Sequence, residues 1–153
     1  MKYQLFILLG AFLFSCDKKD TPAPPPTKTE HISSAQWQYD NGGVDSDKNG
    51  TIDVTLGVVG IPACVLDNKA TFNANGSGIA DEGATKCDPS HPQTTNFNWS
   101  FSNNETTLNL AGSGLFGIGG QFTITELDAN KLTLRKDTTF MSQNVWMVVQ
   151  FRH

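Results

Sequence analysis

One short segment of the chain carries the residue types of a metal-binding loop. The segment from Asp45 to Asp53 reads D-S-D-K-N-G-T-I-D and places oxygen-bearing side chains at alternate positions around a glycine. Calcium takes roughly six to eight hard oxygen ligands, and a sharp turn is needed to bring them to one point. We therefore predict calcium ligands at the side chains of Asp45, Asp47, Asn49 and Asp53 and at the carbonyl of Thr51.

This loop differs from the calcium loop of an EF-hand in two respects. Leu56 stands where that loop has its bidentate glutamate, and no flanking helices are predicted. An acid from elsewhere in the fold would have to complete the site. The alternative is a polar turn between two strands, because Asp, Asn and Gly are also common turn residues.

The N-terminal region predicts an export signal. Lys2 is followed by the apolar run Leu5–Phe14, which is too short for the ~20 residues that span a bilayer but is typical of a cleaved signal. The sequence Leu13-Phe14-Ser15-Cys16 resembles the lipobox of bacterial lipoproteins. An ordinary secretory signal beside a free cysteine and an uncleaved membrane anchor are the alternatives.

The lipobox resemblance implies a signal peptide over residues 1–15 and a lipid anchor, with palmitate as a component, on Cys16. It places the protein in the cell envelope, anchored to the outer membrane with its domain outside the cytoplasm. Assigning Cys16 to lipid leaves Cys64 and Cys87 as one pair. The alternative is two buried free thiols, and an exported protein favours the disulfide.

Residues 16–30 are predicted to be the acylated cysteine and a tether, and residues 31–153 a single folded domain. Pro22 and the run Pro24-Pro25-Pro26 favour extended polyproline II, a semi-rigid spacer. Loss of Lys2 with the signal leaves ten basic and fifteen acidic residues, a net charge of −5. This charge argues against nucleic acid as a partner and against an electrostatic grip on anionic lipid.

The folded region predicts an all-β protein, because its short alternating segments are separated by turn residues. In Thr95–Ser102, the clearest strand, Phe97, Trp99 and Phe101 share one face. Turns are predicted at Asn41-Gly42-Gly43, Asn75–Gly78 and Asp128-Ala129-Asn130, and outside the signal no segment has a helical period. The other predicted strands are 35–40, 51–59, 69–73, one beginning at Ile79, 106–110, 121–127, 131–135 and 144–151. They favour an antiparallel meander that closes into a barrel or sandwich.

The region from Ala63 to Leu110 resembles the lipocalin-like domain of small bacterial lipoproteins. The resemblance is carried by a Cys-x-x-Asp-Asn element at Cys64–Asn68, a T-F-x-x-x-G hairpin, a Gly-x-x-x-Cys element at Gly83–Cys87, a tryptophan strand and a T-L-x-L strand. Trp37 matches the opening tryptophan, and I-T-E-L-D-A-N-K-L-T-L continues the pattern.

This resemblance implies an up-and-down β-barrel of about eight strands, whose mouth or interior holds a small apolar ligand. Fold alone does not determine function, and a filled barrel acting as a calcium-stabilised interaction or envelope-assembly module is the alternative. An aromatic set of this kind more often fills a small core than lines a cavity. The candidate lining residues are Trp37, Tyr39, Phe72, Phe97, Trp99, Phe101, Phe122 and Trp146.

Few groups in the folded region have the spacing of catalytic residues, and we expect no enzyme. Asp81 and Glu82 are adjacent acids, and His31, His91 and His153 do not lie in a nucleophile motif. Catalysis would require Asp81, Glu82 or His91 to cluster with a nucleophile in a cleft. The G-x-G-x-x-G pattern of Gly112–Gly117 precedes no predicted helix, so we interpret it as a glycine-rich loop or bulged strand that gates the barrel mouth.

Overall fold

The computed structural model describes residues 23–55, 57 and 62–153. The predicted signal peptide, Cys16, the first part of the tether and Leu56 lie outside the described residues. Within these ranges the elements are α1 Lys28–Ile32, β1 Gln36–Asp45, β2 Val54–Thr55, a 3-10 turn Ala63–Val65, β3 Lys69–Phe72, β4 Ser77–Asp81, β5 Thr94–Ser102, β6 Thr107–Leu115, β7 Ile118–Leu127, β8 Lys131–Phe140 and β9 Gln143–Arg152.

Eight of these strands close into a barrel. The order runs from β1 through β3 to β9 with antiparallel neighbours, and β9 pairs back onto β1. In that closing ladder Tyr39 stands opposite Phe151, and Val44 stands opposite Met147. The short β2 pairs with the end of β1. The prediction of an all-β, antiparallel up-and-down barrel of about eight strands is therefore confirmed.

Strand β1 continues through a segment for which the sequence predicts a turn. Asn41-Gly42-Gly43 lies inside β1 and pairs with β9 after a bulge that follows Tyr39. Gly43 is needed here because a side chain would overlap Ile52 and the Val54 carbonyl. The turn prediction is wrong because this glycine serves a close approach between chain segments rather than a reversal. Of the predicted strand 51–59, the structure describes Val54–Thr55 as β2, and residues 56 and 58–61 lie outside its description.

Inward-facing side chains fill the barrel. Phe97 and Trp99 of β5 are buried, as the alternation predicts. Phe72 lies edge-to-face against both rings, with centroid distances of 5.2 Å to Phe97 and 5.7 Å to Trp99. The Trp99 indole Nε1 donates to the carbonyls of Asn73 and Ser77, so its polar atom is satisfied. The core also includes Ile32, Trp37, Tyr39, Ala70, Ala80, Leu108, Leu110, Leu115, Phe122, Leu132, Leu134, Val149 and Phe151.

A short helix that the sequence does not predict covers one end of the barrel. Helix α1 begins at Lys28, inside the stretch predicted to be tether, and has five residues. Thr27 and Glu30 form a capping box, which satisfies backbone N–H groups at its start. Ile32 is fully buried and accepts a hydrogen bond from Trp37 Nε1 at 2.8 Å. A helix of five residues is too short to show a period in the sequence, so tertiary packing decides it.

Antiparallel alternation assigns the loops to two ends of the barrel. The end that we call the closed end carries α1 and the turns 73–76, 103–106 and 128–130. The mouth carries loop 46–53, segment 82–93 and the turns at 116–117 and 141–142. Among the described residues, no helix combines the length and the apolar character needed to cross a membrane.

Candidate functional site at the barrel mouth

An apolar cavity lies inside the barrel where the β6–β7 turn folds over the mouth. Its volume is about 30 Å³, which is room for about two or three water molecules at ~10–15 Å³ each and far below the roughly 300–1,000 Å³ of a drug-sized ligand site. The barrel is thus almost completely filled when the turn is seated. The lining residues are Leu110, Leu115, Phe116, Ile118, Phe122, Leu134, Val149 and Phe151.

The eight aromatic residues predicted to line a cavity divide into two groups. Six belong to the buried core and Phe101 packs against it, so this set mainly fills the barrel. Phe122 lines the small cavity as well. Trp146 lies outside the core cluster, with the Arg135 guanidinium 3.8 Å from its ring centroid. It stands opposite Asp137 in the β8–β9 ladder, on the outer face of the barrel.

The other cavity residues were missed in the sequence. They are aliphatic and aromatic residues of β6 to β9 that resemble ordinary core positions, and only the bend of the β6–β7 hairpin brings them together. The alternation of Leu108 with Leu110 in β6 and of Leu132 with Leu134 in β8 is the local signal that could have indicated part of this lining.

The part of the β6–β7 hairpin nearest its turn makes few backbone pairings with other strands. Strands β6 and β7 pair regularly between Thr107 and Leu110 and resume at Leu115, opposite Ile118. Within the described ladders, β5 pairs with β6 up to Gly112, and β8 pairs with β7 from Thr123 onwards. The tip therefore bends away from both neighbouring strands. The structure shows the bulged strand that the G-x-G-x-x-G segment predicts.

Glycine and one lysine make this bend possible. Gly114 has a φ of +63°, and a side chain there would overlap the Ile118 carbonyl. Lys136 Nζ donates to the Gly119 carbonyl at 2.8 Å and lies 5.4 Å from the Phe122 ring centroid. This side chain occupies the seam where β7 and β8 separate, and Phe116 packs on the core at the hairpin tip.

A second cavity, whose lining includes charged side chains, adjoins the hairpin tip at the mouth, and we call it the vestibule. Its volume is about 360 Å³, and its lining residues are Ala80, Asp81, Glu82, His91, Thr95, Phe116 and Gly117. The vestibule brings together the acids and the histidine that would be needed for catalysis. Thr95 supplies its hydroxyl, yet among the described residues no hydrogen bond joins that hydroxyl to Asp81, Glu82 or His91.

A disulfide joins residues 64–68 to residues 83–87 beside the vestibule, and we call this region the disulfide corner. Cys64 and Cys87 are bonded, with a Cα–Cα distance of 5.3 Å, so the predicted pairing is confirmed. Asp67 Oδ2 accepts hydrogen bonds from the backbone N–H groups of Ala84 and Thr85 at 2.7 and 3.0 Å. Gly83 has a φ of +68° and lies so close to Asp67 that a side chain would overlap it.

Asn68 completes this corner from the buried side. The Asn68 amide is assigned the orientation in which its nitrogen faces two carbonyl groups. In that orientation the nitrogen donates to the carbonyls of Cys64 and Glu82 at 3.2 and 3.0 Å. The backbone carbonyl of Asn68 accepts from Tyr39 N at 3.1 Å. The residues of the two Cys-containing motifs therefore hold together the chain segments on either side of Glu82.

Asp45 and the loop 46–53 that follows it, together called the acidic loop, lie against the outer face of β1, beside the mouth. Asp45, Asp47 and Asp53 bring carboxylate oxygens within 4.8 Å of one another, and Asp45 is fully buried. Asp45 accepts from the N–H groups of Asn49 and Gly50 at 3.2 and 2.8 Å. These hard oxygens could hold a metal ion. The predicted ligand Asn49 turns its Oδ1 to the N–H of Thr51 at 2.7 Å.

Local hydrogen bonds and one ion pair order this loop. The N–H and hydroxyl of Ser46 both donate to Asp53, and these bonds hold the pKa of Asp53 below its ordinary value. Lys48 Nζ binds Asp137 Oδ1 at 2.7 Å and Asn144 Oδ1 at 3.0 Å. The hydrogen bond from Lys48 likewise lowers the pKa of Asp137. Lys48, the lysine of this loop, therefore binds β8 and β9 rather than the loop's own carboxylates.

A family model described as a lipocalin-like domain matches residues 35–134, which cover β1 to the first half of β8. No curated protein matches the chain.

Proposed function

We propose, because this chain belongs to the lipocalin-like domain family, that it is a lipid-anchored, non-catalytic protein that takes a small apolar molecule into the mouth of its barrel. Lipocalin-like domains are generally non-catalytic binding proteins, and their barrel fits a small apolar ligand. The observation that carries the proposal is the wholly apolar lining of the cavity beneath the β6–β7 tip.

Uptake requires the β6–β7 tip to move. A cavity of about 30 Å³ holds no organic ligand while Phe116 is seated. The tip has few ladder contacts to β5 and β8, so its outward movement breaks little backbone pairing. The movement would join the cavity to the space now filled by Phe116.

The anchor is part of the proposal and is supported by sequence alone. The apolar run before Cys16 and the lipobox resemblance support acylation of that residue. The proline-rich stretch after it supports a spacer between the membrane and the barrel. We place the protein in the cell envelope at the outer membrane, with its mouth open to the aqueous side.

Native mass spectrometry of the full chain purified from its own host tests both parts together. We expect a covalent lipid mass and a second, non-covalent mass that is released by organic extraction. Val149→Phe adds a ring to the cavity wall and should remove the non-covalent mass. Overpacking of this kind destabilises by roughly 1–3 kcal/mol, so near-UV circular dichroism should show that the variant is folded.

The two masses have separate controls. Cys16→Ser should lose the covalent mass and keep the other, whereas Val149→Phe should do the reverse. Wild-type protein without any non-covalent apolar mass would contradict ligand uptake, and an unmodified Cys16 would contradict the anchor.

A second candidate function is a calcium-stabilised interaction or envelope-assembly module. It is supported by the three clustered carboxylates of the acidic loop together with the almost completely filled interior. Asp45, Asp47 and Asp53 would hold the ion, which would supply a structural cross-link between β1 and the loop. In this alternative the outer face, rather than the interior, is the binding surface.

Removal of calcium tests this candidate. With millimolar calcium present, EDTA should lower the melting temperature by about 3–5 °C, because an ion bound to the folded state alone stabilises it. Asp47→Ala should abolish the sensitivity to EDTA. Asp40→Ala removes the same charge from β1, outside the acidic loop, and serves as the matched control. An equal melting temperature with calcium and with EDTA would rule out the calcium site.

A further inference from the structure

The apolar cavity and the vestibule are adjacent and differ in chemistry. Phe116 lines both of them, so its ring separates the two spaces. One side is lined by apolar residues, whereas the other presents Asp81, Glu82, His91 and Thr95. Movement of Phe116 joins them into one site with an apolar inner end and a polar outer end. Such a site fits an amphiphile that enters tail first.

The two carboxylates of the vestibule retain acceptor capacity. Asp81 Oδ1 accepts from Gly83 N and Gln93 Nε2, and Glu82 Oε2 accepts from Cys87 N. Among the described residues no hydrogen bond occupies Asp81 Oδ2 or Glu82 Oε1. An ionised carboxylate accepts hydrogen bonds and cannot donate them. These oxygens therefore favour a ligand that donates.

Two lysines lie near the vestibule, and neither makes an ion pair with Asp81 or Glu82 among the described residues. Lys86 Nζ donates to the carbonyls of Pro89 and His91, which fixes it within its own segment. Lys69 is opposite Asp81 in the β3–β4 ladder, without an ion pair between them among the described residues. Glu82 follows the end of β4 directly and lines the vestibule together with Asp81. A negatively charged head group would meet like charge here.

We propose that the vestibule selects the polar end of the ligand and takes a cationic, hydrogen-bond-donating head group such as a primary ammonium. Glu82 holds this group, Asp81 assists, and the alkyl tail passes Phe116 into the apolar cavity. This inference rests on the proposed function, since it names the chemical class of the molecule that the barrel binds.

Three probes with the same tail test the head-group preference. Octylamine, octanoate and octan-1-ol are titrated by calorimetry, below their critical micelle concentrations, into the full chain held in phosphatidylcholine nanodiscs. We expect octylamine to bind roughly tenfold or more tightly than octanoate, as for one hydrogen bond to a charged group, with octan-1-ol between them. Glu82→Gln should bring the three dissociation constants within about twofold.

The matched control removes the same charge at the other end of the barrel. Glu105→Gln should leave the preference unchanged, because Glu105 lies in the turn at the closed end. Both variants meet the same membrane, so partition of the probes into lipid cancels in the comparison. Glutamine at 82 retains an acceptor for Cys87 N, and tryptophan fluorescence confirms folding.

The outcomes separate this inference from the proposed function. If none of the three probes binds wild-type protein, the proposed function fails and the head-group inference fails with it. If octylamine and octanoate bind equally, apolar uptake stands and the head-group inference is overturned. If the preference survives Glu82→Gln, the vestibule is not its source and the inference is likewise overturned.

Discussion

Replacing Trp37 with alanine is expected to lower the free energy of unfolding by about 3–5 kcal/mol. The indole is fully buried and lies with its ring centroid 3.8 Å from that of His153, so its removal leaves a cavity at the closed end. The variant also leaves the Ile32 carbonyl without its Nε1 donor. Urea unfolding followed by circular dichroism measures the loss.

One variant at position 37 separates packing from hydrogen bonding, and one variant elsewhere is the control. Trp37→Phe keeps most of the apolar contact but removes the donor, and should lose about 1–3 kcal/mol. Trp146→Ala removes the same side chain from the outer face, where Arg135 stacks on it, and should have the smaller effect. A loss at Trp37→Ala no greater than that at Trp146→Ala would refute this account of the closed end.

Removing the disulfide is expected to destabilise the protein by roughly 3 kcal/mol on the chain-entropy model. Cys64 and Cys87 are 23 residues apart, and their bond restricts the unfolded chain across that whole segment. Cys64 is half-buried and Cys87 is exposed, so Cys64→Ser with Cys87→Ser leaves no core cavity. The urea midpoint should fall and the slope m should rise, because the unfolded chain exposes more surface.

Chemical reduction provides the control for the double variant. Wild-type protein in dithiothreitol should match the double variant, and the double variant itself should not respond to the reductant. Glu82 accepts from Cys87 N, so the octylamine preference should weaken along with stability. A double variant as stable as the oxidised wild type would show that the bond does not constrain the unfolded chain.

The candidate site could be predicted from the sequence only in part. The spacing of Asp45, Asp47 and Asp53 indicates a shared point for their carboxylates, and the loop brings them within 4.8 Å. The pairing of Cys64 and Cys87 followed from counting cysteines. The mouth cavities did not follow, since they combine residues from β4 to β9 that no local pattern connects.

The sequence by itself determined the class of fold and the inward set of its clearest strand. Alternation is a local property, because successive side chains of a strand point to opposite faces. Phe97 and Trp99 are therefore identified as core residues before any partner strand is known. The Cys-x-x-Asp-Asn and Gly-x-x-x-Cys elements similarly carried the resemblance that the family match over residues 35–134 bears out.

Only the tertiary structure decided which acidic and glycine residues bear on binding. The sequence presents Asp81 and Glu82 only as adjacent acids, and it is the β6–β7 tip that brings Phe116 beside them to form the vestibule. Asn41-Gly42-Gly43 became strand because β9 pairs with it across the closure of the barrel. Such contacts join residues far apart in the chain, and their free energy appears only once the barrel has closed. The sequence identified the acids, but it identified neither the apolar lining of the cavity nor its contact with the acids at Phe116.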